Sequence, residues 1–400
     1  MKKLLMLGGS NEQILSIKKA VEMGFHTIIC DYLPNNPGKK FAHEHYEVST
    51  MDKEAVTALA KKLKVDGVVC CVSDAAAPTA AYVREQLGMP TNPYKSVKIL
   101  TNKDMFREFL KDNGFKTPKA KGYSNIQNAI NDIGEFTLPV MIKPVDASGS
   151  RGITILHDIS KLNEQIEYAL SYSRGANRFV IEEFVEKDGY QIAGDGFSVE
   201  GKLVFTCFGN THFNVSLKNP FVPIGSSFPC VKSKEVQTKI HNEIQRLLTL
   251  LEMKTGAYNF DIMVDKNGDV VLMDIGARNG GNLIPETMRY ATGIDTYEYS
   301  IKAAMGMDCS DLKQVEPRGF YSRCMIHSKY AGVLKEIWID DDFRKNNILE
   351  LNVFRKPGDK LEASTGDEGV AAAMILTFSS EQEMIDKIEN IQSYVNVLVE

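Results

Sequence analysis

The first 90 residues alternate apolar segments with amphipathic segments in a β–α order. Residues 2–8 (KKLLMLG), 26–31 (HTIICD) and 66–74 (DGVVCCVSD) are typical of buried strands, and helical spacing of apolar residues follows each. Because parallel strands need such crossover connections, the sequence predicts an α/β, doubly wound parallel sheet. Ligands of these sheets bind at the carboxyl ends of the strands, where six residues with polar or small side chains fall: Gly8, Gly9, Ser10, Asp31, Ser73 and Asp74.

An NAD site is one alternative for this sheet. The first turn, GGSNEQ at residues 8–13, lacks the third glycine of G-x-G-x-x-G, so the dinucleotide fingerprint is not met. Asp31 ends the second strand and could hold a ribose, but a single acidic residue does not define such a site.

Composition excludes several classes. A net charge of −5 spread over 400 residues gives no electrostatic case for nucleic acid. The apolar run after Met1 is too short for a signal peptide, and no run approaches the roughly 18 residues of a membrane span. Seven scattered cysteines lack zinc spacing. We therefore expect a cytoplasmic protein with reduced thiols, no membrane partner and no nucleic-acid partner.

A hairpin is predicted around Asn267-Gly268, a strong signal for a two-residue turn with positive φ at both centres. With Lys266 opposite Asp269, counting outward puts Asp261 directly opposite Asp274, with Cβ atoms about 4.5–5.5 Å apart. Facing carboxylates repel, so the arrangement favours a hard cation, Mg²⁺ or Mn²⁺, between them. The alternative is a surface hairpin whose aspartates point to solvent.

Two further segments have features of a nucleotide site. Lys143 ends a strand just before a Gly/Ser loop whose backbone N–H groups could approach a phosphate. The segment is not a P-loop, because the lysine precedes the glycines instead of following them. Residues 182–185 end an apolar strand and could wall an adenine pocket. The alternatives are a solvated hairpin with an incidental lysine and an ordinary edge strand.

In this order, Lys103, Lys143 with its loop, the Glu-Glu-Phe-Val hinge and the carboxylate hairpin ending in Arg-x-Gly-Gly resemble the ATP-grasp superfamily. The resemblance spans the chain, including residues 357–375 (PGDKLEASTGDEGVAAAMI), and is nearest to the carbamoyl-phosphate-synthase-like and L-amino-acid-ligase branches. It implies an α/β fold with an N-terminal Rossmann-like (pre-ATP-grasp) domain at 1–95, a two-part ATP-grasp domain at 96–310 with a lid at about 120–187, and a small C-terminal α+β domain at 311–400.

The resemblance also implies residue roles. Lys103 and Lys143 would contact ATP phosphates, and Arg278 would stabilise an acyl-phosphate and its transition state. Asp261 and Asp274 would carry Mg²⁺. The remaining nucleotide contacts would come from a closing loop (Ser148, Gly149, Ser150, Gly152) and an adenine hinge (Glu182, Glu183, Phe184, Val185).

Two positions depart from the family pattern. Gln191 stands where many members have a ribose-binding Glu. The usual Glu-x-Asn-x-Arg is here Asp274-Ile275-Gly276-Ala277-Arg278, so a metal ligand is missing. Asn259 lies opposite Gly276 in the predicted register, and we expect either that its amide replaces that ligand or that one metal is bound more weakly.

The implied reaction is ATP-dependent ligation of a small-molecule carboxylate to an amine (or thiol) through an acyl-phosphate, with release of ADP and phosphate. Two alternatives stay open: a bicarbonate-activating carboxylase or carbamoyl-phosphate-type enzyme, and a non-catalytic ATP-binding regulatory protein. We expect a homodimer.

The acceptor pocket is expected in residues 211–229, between the central strands and the next helix. His212, Ser226 and Ser227 could contact substrate there, with His212 in an exposed loop as the competing interpretation. Arg323 could face the same cleft or form a structural ion pair. His43 and His45 are assigned no role.

Overall fold

The computed structural model describes residues 1–363 and 369–400. Its N-terminal part is a parallel sheet in the strand order β3-β2-β1-β4. This confirms the predicted doubly wound unit. The strands are β1 (Lys3–Leu7), β2 (His26–Cys30), β3 (Glu44–Tyr46) and β4 (Gly67–Val69), and the helices are α1 (Ile14–Glu22), α2 (Lys53–Leu63), α3 (Ala77–Gln86), α4 (Tyr94–Leu100) and α5 (Lys103–Asp112).

A second, antiparallel sheet follows, in the order β5-β8-β6-β7. Apolar side chains of its strands pack with its helices into a separate core that includes Ile142, Ile166 and Ile181. Its elements are β5 (Ala120–Tyr123), α6 (Ile126–Asp132), β6 (Val140–Pro144), β7 (Thr154–Leu156), α7 (Leu162–Ser171) and β8 (Phe179–Glu183).

A large antiparallel sheet, in the order β13-β12-β9-β10-β11-β14-β18-β16, runs through the rest of the chain. Its first five strands are β9 (Gln191–Val199), β10 (Lys202–Phe213), β11 (Pro223–Phe228), β12 (Gly256–Val264) and β13 (Val270–Gly276). The helices of this part are α8 (Lys234–Leu250), α9 (Ile284–Thr292) and α10 (Thr296–Ala304). Helix α8 covers one face, while α9 and α10 pack on the other.

Some of the C-terminal strands continue this sheet, and the others form a small sheet of their own. β14 pairs with β11, and β18 pairs with β14 and β16. A small sheet β17-β15-β19 lies beside them. The elements are β14 (Phe320–His327), β15 (Gly332–Ile339), α11 (Asp341–Asn347), β16 (Ile348–Val353), β17 (Lys360–Leu361), β18 (Val370–Phe378), α12 (Glu381–Glu389) and β19 (Val395–Val399).

Two further observations concern the predictions. The segment 357–375 that contributed to the family resemblance includes residues 364–368, which lie outside the described residues. Within the described ranges, no helix is both long and apolar enough to cross a membrane.

Candidate active site

The carboxylate hairpin forms with the predicted pairing but with a different turn. Asp261 is opposite Asp274, and Asn259 is opposite Gly276. The connection, however, has three residues, because Asp265 and Asp269 close it and only Gly268 has positive φ (82°). The predicted two-residue turn, with Lys266 opposite Asp269, was wrong. A β-bulge beside Asp261 shifts the register by one residue and so restores the predicted pairing.

The two hairpin carboxylates sit among basic and amide side chains. The Lys103 ammonium donates to Asp274 Oδ2 (3.1 Å) and to the Ala147 carbonyl (3.0 Å). The Gln191 amide donates to Asp261. Burial, and then repulsion by Asp274, raises the pKa of Asp261 to about 6. The pair therefore forms one acidic face that a cation would stabilise.

Lys143 is held by a buried ion-pair triad that sequence reasoning did not anticipate. Its ammonium pairs with Glu182, whose other oxygen accepts from Arg107 Nε at 2.9 Å. Arg107 also donates to the carbonyls of Leu272 and Met273 in the carboxylate hairpin. Burial opposes ionisation of Glu182, but Arg107 and Lys143 lower its pKa to about 2. The Glu182 side chain thus orients Lys143 and ties the lid sheet to the hairpin.

The hinge after β8 offers fewer backbone groups than expected. The Glu183 amide donates to the Lys119 carbonyl, and the Phe184 amide donates to the Pro139 carbonyl. Phe184 itself is exposed. An apolar ring at the surface beside a strand end fits a wall for a flat base.

Three residues with positive φ shape the Gly/Ser loop between β6 and β7: Gly149 (67°), Ser150 (57°) and Gly152 (70°). Arg174 Nη2 donates to the Ser148 hydroxyl (2.7 Å), and Arg151 Nε donates to the Ser148 carbonyl (3.1 Å). Burial, and then the charge of Arg151, lowers the pKa of Arg174. Arg174 was missed, because nothing in residues 171–178 (SYSRGANR) indicates that this segment returns to the loop, and Arg151, which lies within the loop, was given no role.

Arg278 is fixed by the N-terminal sheet. Its Nε donates to Asp74 Oδ1 (2.8 Å) and its Nη2 to Asp74 Oδ2 (2.6 Å). Asp74 follows β4, as the strand-end rule predicts. A Cβ on Gly276 would lie 2.9 Å from Asp74 Oδ1 and 3.1 Å from Arg278 Cζ. The ion pair thus occupies the space that a side chain at position 276 would need.

Asn259 lies on the cleft face of β12, as expected from its position opposite Gly276. Its Nδ2 donates to the Asp195 carboxylate (2.9 Å) and the Gly194 carbonyl (3.2 Å). The other Asp195 oxygen accepts from the Gly280 amide (2.8 Å), just beyond Arg278. Burial raises the pKa of Asp195 to about 6. Of the two polar atoms of the Asn259 side-chain amide, the oxygen is the one that can bind a cation.

The expected acceptor residues divide between the two faces of the sheet. His212 is buried in β10 and does not lie in an exposed loop. It contacts Ser227 (2.8 Å) and Glu389 of α12 (2.8 Å). Ser226 precedes Ser227 on β11, so its side chain points to the opposite face of the sheet, where its hydroxyl accepts a hydrogen bond from Arg323 Nε (3.3 Å). Ser226 and Arg323 therefore share a face, and His212 and Ser227 belong to the packing of α12.

Residues 106–284 match the family described as the D-Ala D-Ala ligase C-terminus. This segment runs from α5 through the lid sheet and the carboxylate hairpin, so it contains most of the predicted nucleotide site. Residues 106–284 are therefore similar to an ATP-grasp domain.

Several known proteins resemble this chain over its whole length. The formate-dependent phosphoribosylglycinamide formyltransferase of Sulfolobus acidocaldarius is 23% identical, covering 99% of this chain and 97% of the relative. An L-amino acid ligase from Bacillus licheniformis has a TM-score of 0.81 at 18% identity, covering 100% of this chain and 99% of the other. A phosphoribosylglycinamide synthetase from Anaerococcus prevotii has a TM-score of 0.75 at 21% identity, covering 100% of both. These likenesses confirm the predicted α/β ATP-grasp fold.

Proposed function

We propose that this chain is an ATP-dependent carboxylate–amine ligase that works through an acyl-phosphate. The observation that carries the proposal is the convergence of Lys103, Asp261, Asp274 and Arg278 at one end of the hairpin, with Lys143 tied to the same hairpin through Glu182 and Arg107. Basic groups beside paired carboxylates suit a phosphoryl transfer, in which catalysis rests on positioning and charge.

ATP would lie between the lid sheet and the large sheet. Its phosphates would meet Lys103, Lys143 and the Gly/Ser loop, and Arg151 and Arg174 would add positive charge from the other side of that loop. Its adenine would stack beside Phe184 and bond to hinge groups such as the Val185 amide. The remaining proposed contacts are Glu183 and Gln191, and Gln191 would act through Asp261 because its amide bonds to that carboxylate.

The hairpin residues fit a magnesium site. The oxygens of Asp261 and Asp274, with the Asn259 carbonyl, are the hard donors that Mg²⁺ or Mn²⁺ prefers. Among the described residues, no group of three or more His, Cys, Asp or Glu side chains is arranged to hold a metal ion. When bound, the ion would neutralise charge on the phosphates.

The reaction has two steps. A substrate carboxylate oxygen attacks the γ-phosphorus of ATP, the bond to the β,γ-bridging oxygen breaks, and ADP leaves. The amine nitrogen then attacks the acyl carbon, the carbon–oxygen bond to phosphate breaks, and phosphate leaves while the nitrogen loses a proton. Arg278, held by Asp74, would bind the carboxylate and then the developing oxyanion.

Other predictions remain to be tested. The domain boundaries at 95 and 310 are proposals, and the second falls before strands that continue the large sheet. We propose that the chain forms a homodimer, which light scattering would test. A cytoplasmic location is proposed because the cysteines are free thiols.

The proposal is tested by ADP release from the full chain with panels of carboxylates and amines. Substrate-dependent ADP release, with a hydroxamate when hydroxylamine replaces the amine, is the expected result. Release that depends on bicarbonate alone would favour the carboxylase alternative. ATP binding with no stimulated ADP release by any substrate would favour a regulatory protein.

A further inference from the structure

A small cavity lies beside the Arg278 loop, among α3, the segment 91–97, the start of β12 and α10. Its volume is about 50 Å³. Of the reaction residues proposed above, Arg278 alone lines it, and that side chain is already paired with Asp74. Ala257 of β12 also lines the cavity, and Asp261 lies four residues further along the strand, roughly 13 Å away. The cavity is therefore separate from the hairpin carboxylates.

The charge of the cavity lining is one-sided. Among the described residues that line it, Arg84 and Arg278 are the charged ones, and none is an aspartate or a glutamate. Arg278 has its carboxylate partner in Asp74. Burial lowers the pKa of Arg84 to about 10, and no acidic side chain in the described ranges opposes this shift, so the guanidinium stays charged at neutral pH. The cavity thus has one positive charge in excess.

Two hydrogen-bond donors of this cavity have no acceptor in the part of the chain that the structure describes. They are Arg84 Nε and Asn279 Nδ2, both shielded from solvent. The other contacts of these side chains are modest: Arg84 Nη2 donates to the Ala303 carbonyl (3.3 Å), and the Ser300 hydroxyl donates to Asn279 Oδ1 (2.8 Å). Asn279 itself is fully buried. Because buried donors without acceptors are costly, a bound anion that accepts from both would stabilise the fold.

The volume of the cavity restricts the ligand to a small ion. A water molecule needs roughly 10–15 Å³ of such space, so the cavity of about 50 Å³ has room for about three or four. Pockets for drug-sized ligands are larger, about 300–1,000 Å³. One excess positive charge matches one negative charge on the ligand. The lining is therefore suited to a small monovalent anion.

We propose that this cavity binds a small monovalent anion, of the size of chloride, between Arg84 and Asn279. Arg84 belongs to α3, which follows Asp74 in the chain, and Asn279 directly follows Arg278. The anion thus joins the same two segments that the Asp74–Arg278 pair joins, and it adds a second bridge between them. Arg278 Nη1 also donates to the Asn279 carbonyl (3.1 Å), so fixing Asn279 restrains the Arg278 loop. This binding does not depend on the ligase function.

Thermal unfolding of the full chain tests the site. Chloride is replaced stepwise by gluconate at constant sodium concentration and ionic strength, because gluconate is too large for the cavity. With a dissociation constant of about 10 mM, about 200 mM chloride should raise the Tm by about 2 °C relative to gluconate. A non-specific salt effect has the opposite sign, since strongly hydrated anions stabilise folded proteins by exclusion from their surface.

Substitution of Arg84 separates the site from general effects of chloride. Arg84→Met keeps a long side chain but removes the charge and the donors, so its Tm should be the same in chloride and in gluconate. Arg84→Gln, which also removes the charge, serves the same purpose if the methionine variant does not fold. Arg344→Met, at an exposed arginine of α11, is the matched control and should keep the full wild-type shift.

Crystals of the wild type grown in bromide locate the ion directly. The anomalous signal of bromide should give a peak between Arg84 Nε and Asn279 Nδ2. Three outcomes would overturn the inference: equal wild-type Tm values in chloride and gluconate, a chloride shift in the folded Arg84 variant as large as in the wild type, or bromide peaks only outside the cavity. Loss of the shift in Arg344→Met as well would assign it to a non-specific effect of chloride and would also overturn it.

Discussion

Asp74 and Arg278 form a two-bond ion pair that joins the N-terminal sheet to the end of the carboxylate hairpin, with bonds of 2.8 and 2.6 Å. The pair lies over Gly276, the position where the family pattern usually has Asn. The loss of that asparagine is therefore linked to a specific gain, because the space it would fill is taken by the carboxylate that orients Arg278.

Asp74→Asn should lower kcat by about 10- to 100-fold and leave ATP affinity nearly unchanged. The neutral amide cannot hold both guanidinium nitrogens in the same geometry, and misplacement of a catalytic group by about 1 Å has effects of this size. Steady-state kinetics and nucleotide titration give the two values. Asp112→Asn, at an exposed aspartate, is the control. An equal loss of ATP affinity would contradict a role confined to Arg278.

Restoring the family residue should be harmful on its own. Gly276→Asn introduces a Cβ 2.9 Å from Asp74 Oδ1, and overpacking typically costs about 1–3 kcal/mol. Combining it with Asp74→Ala should recover part of the lost free energy of unfolding. Denaturant unfolding of both single variants and the double variant measures the coupling; strictly additive effects would show that the two positions do not compete for space.

Asp274→Asn should sharply raise the Mg²⁺ concentration needed for half-maximal activity, because one of two facing carboxylates is lost. The control, Asp269→Asn, lies on the same hairpin but is exposed and pairs with Lys116. Titration of activity with Mg²⁺ at saturating ATP separates the two variants. Identical curves for both variants would argue against direct ligation.

The lysine–glutamate–arginine triad predicts different effects for substitutions of Lys143 and of Glu182. Lys143→Ala should abolish ATP turnover and leave the fold intact, since Glu182 keeps Arg107. Glu182→Gln should lower the free energy of unfolding by about 3–5 kcal/mol, because two buried cations lose their anion. Thermal unfolding and ADP release test both, and retained turnover in Lys143→Ala would remove the phosphate role from that lysine.

Stability should depend on pH through Glu286. Burial raises the pKa of this α9 carboxyl to about 7, and its Oε2 has no partner among the described residues. The folded pKa lies above the unfolded value, so stability is full below about pH 4.5 and falls as pH rises towards 7. At about 1.4 kcal/mol per pKa unit, the loss is about 3 kcal/mol. Glu286→Gln should remove this difference between pH 5 and pH 8; an unchanged profile would contradict it.

The pattern of β and α segments and the hairpin pairing could be predicted because they depend on local periodicity. The pairing of Asp261 with Asp274 nevertheless came from two cancelling effects. Gly268 alone adopts positive φ, which lengthens the turn, and the bulge beside Asp261 shifts the register back. No local signal in the hairpin specifies that bulge.

Contacts distant in sequence could not be predicted. Arg107 is 75 residues from Glu182 and Asp74 is 204 residues from Arg278. The burial of His212 could not be predicted, because the surrounding sequence resembles a surface loop. In the structure β10 extends to Phe213, and α12 packs over His212. Residue type indicated charge at each position, but the partner was set by the tertiary fold.

The large sheet also has a consequence for synthesis of the chain. β11 ends at Phe228, but its neighbour β14 begins at Phe320 and is itself covered by β18, which ends at Phe378. Until those later strands leave the ribosome, β11 presents an open edge that can pair with another nascent chain. Truncation before β14 should therefore give an aggregating product, and chaperone dependence during translation should diminish only after the last strands emerge.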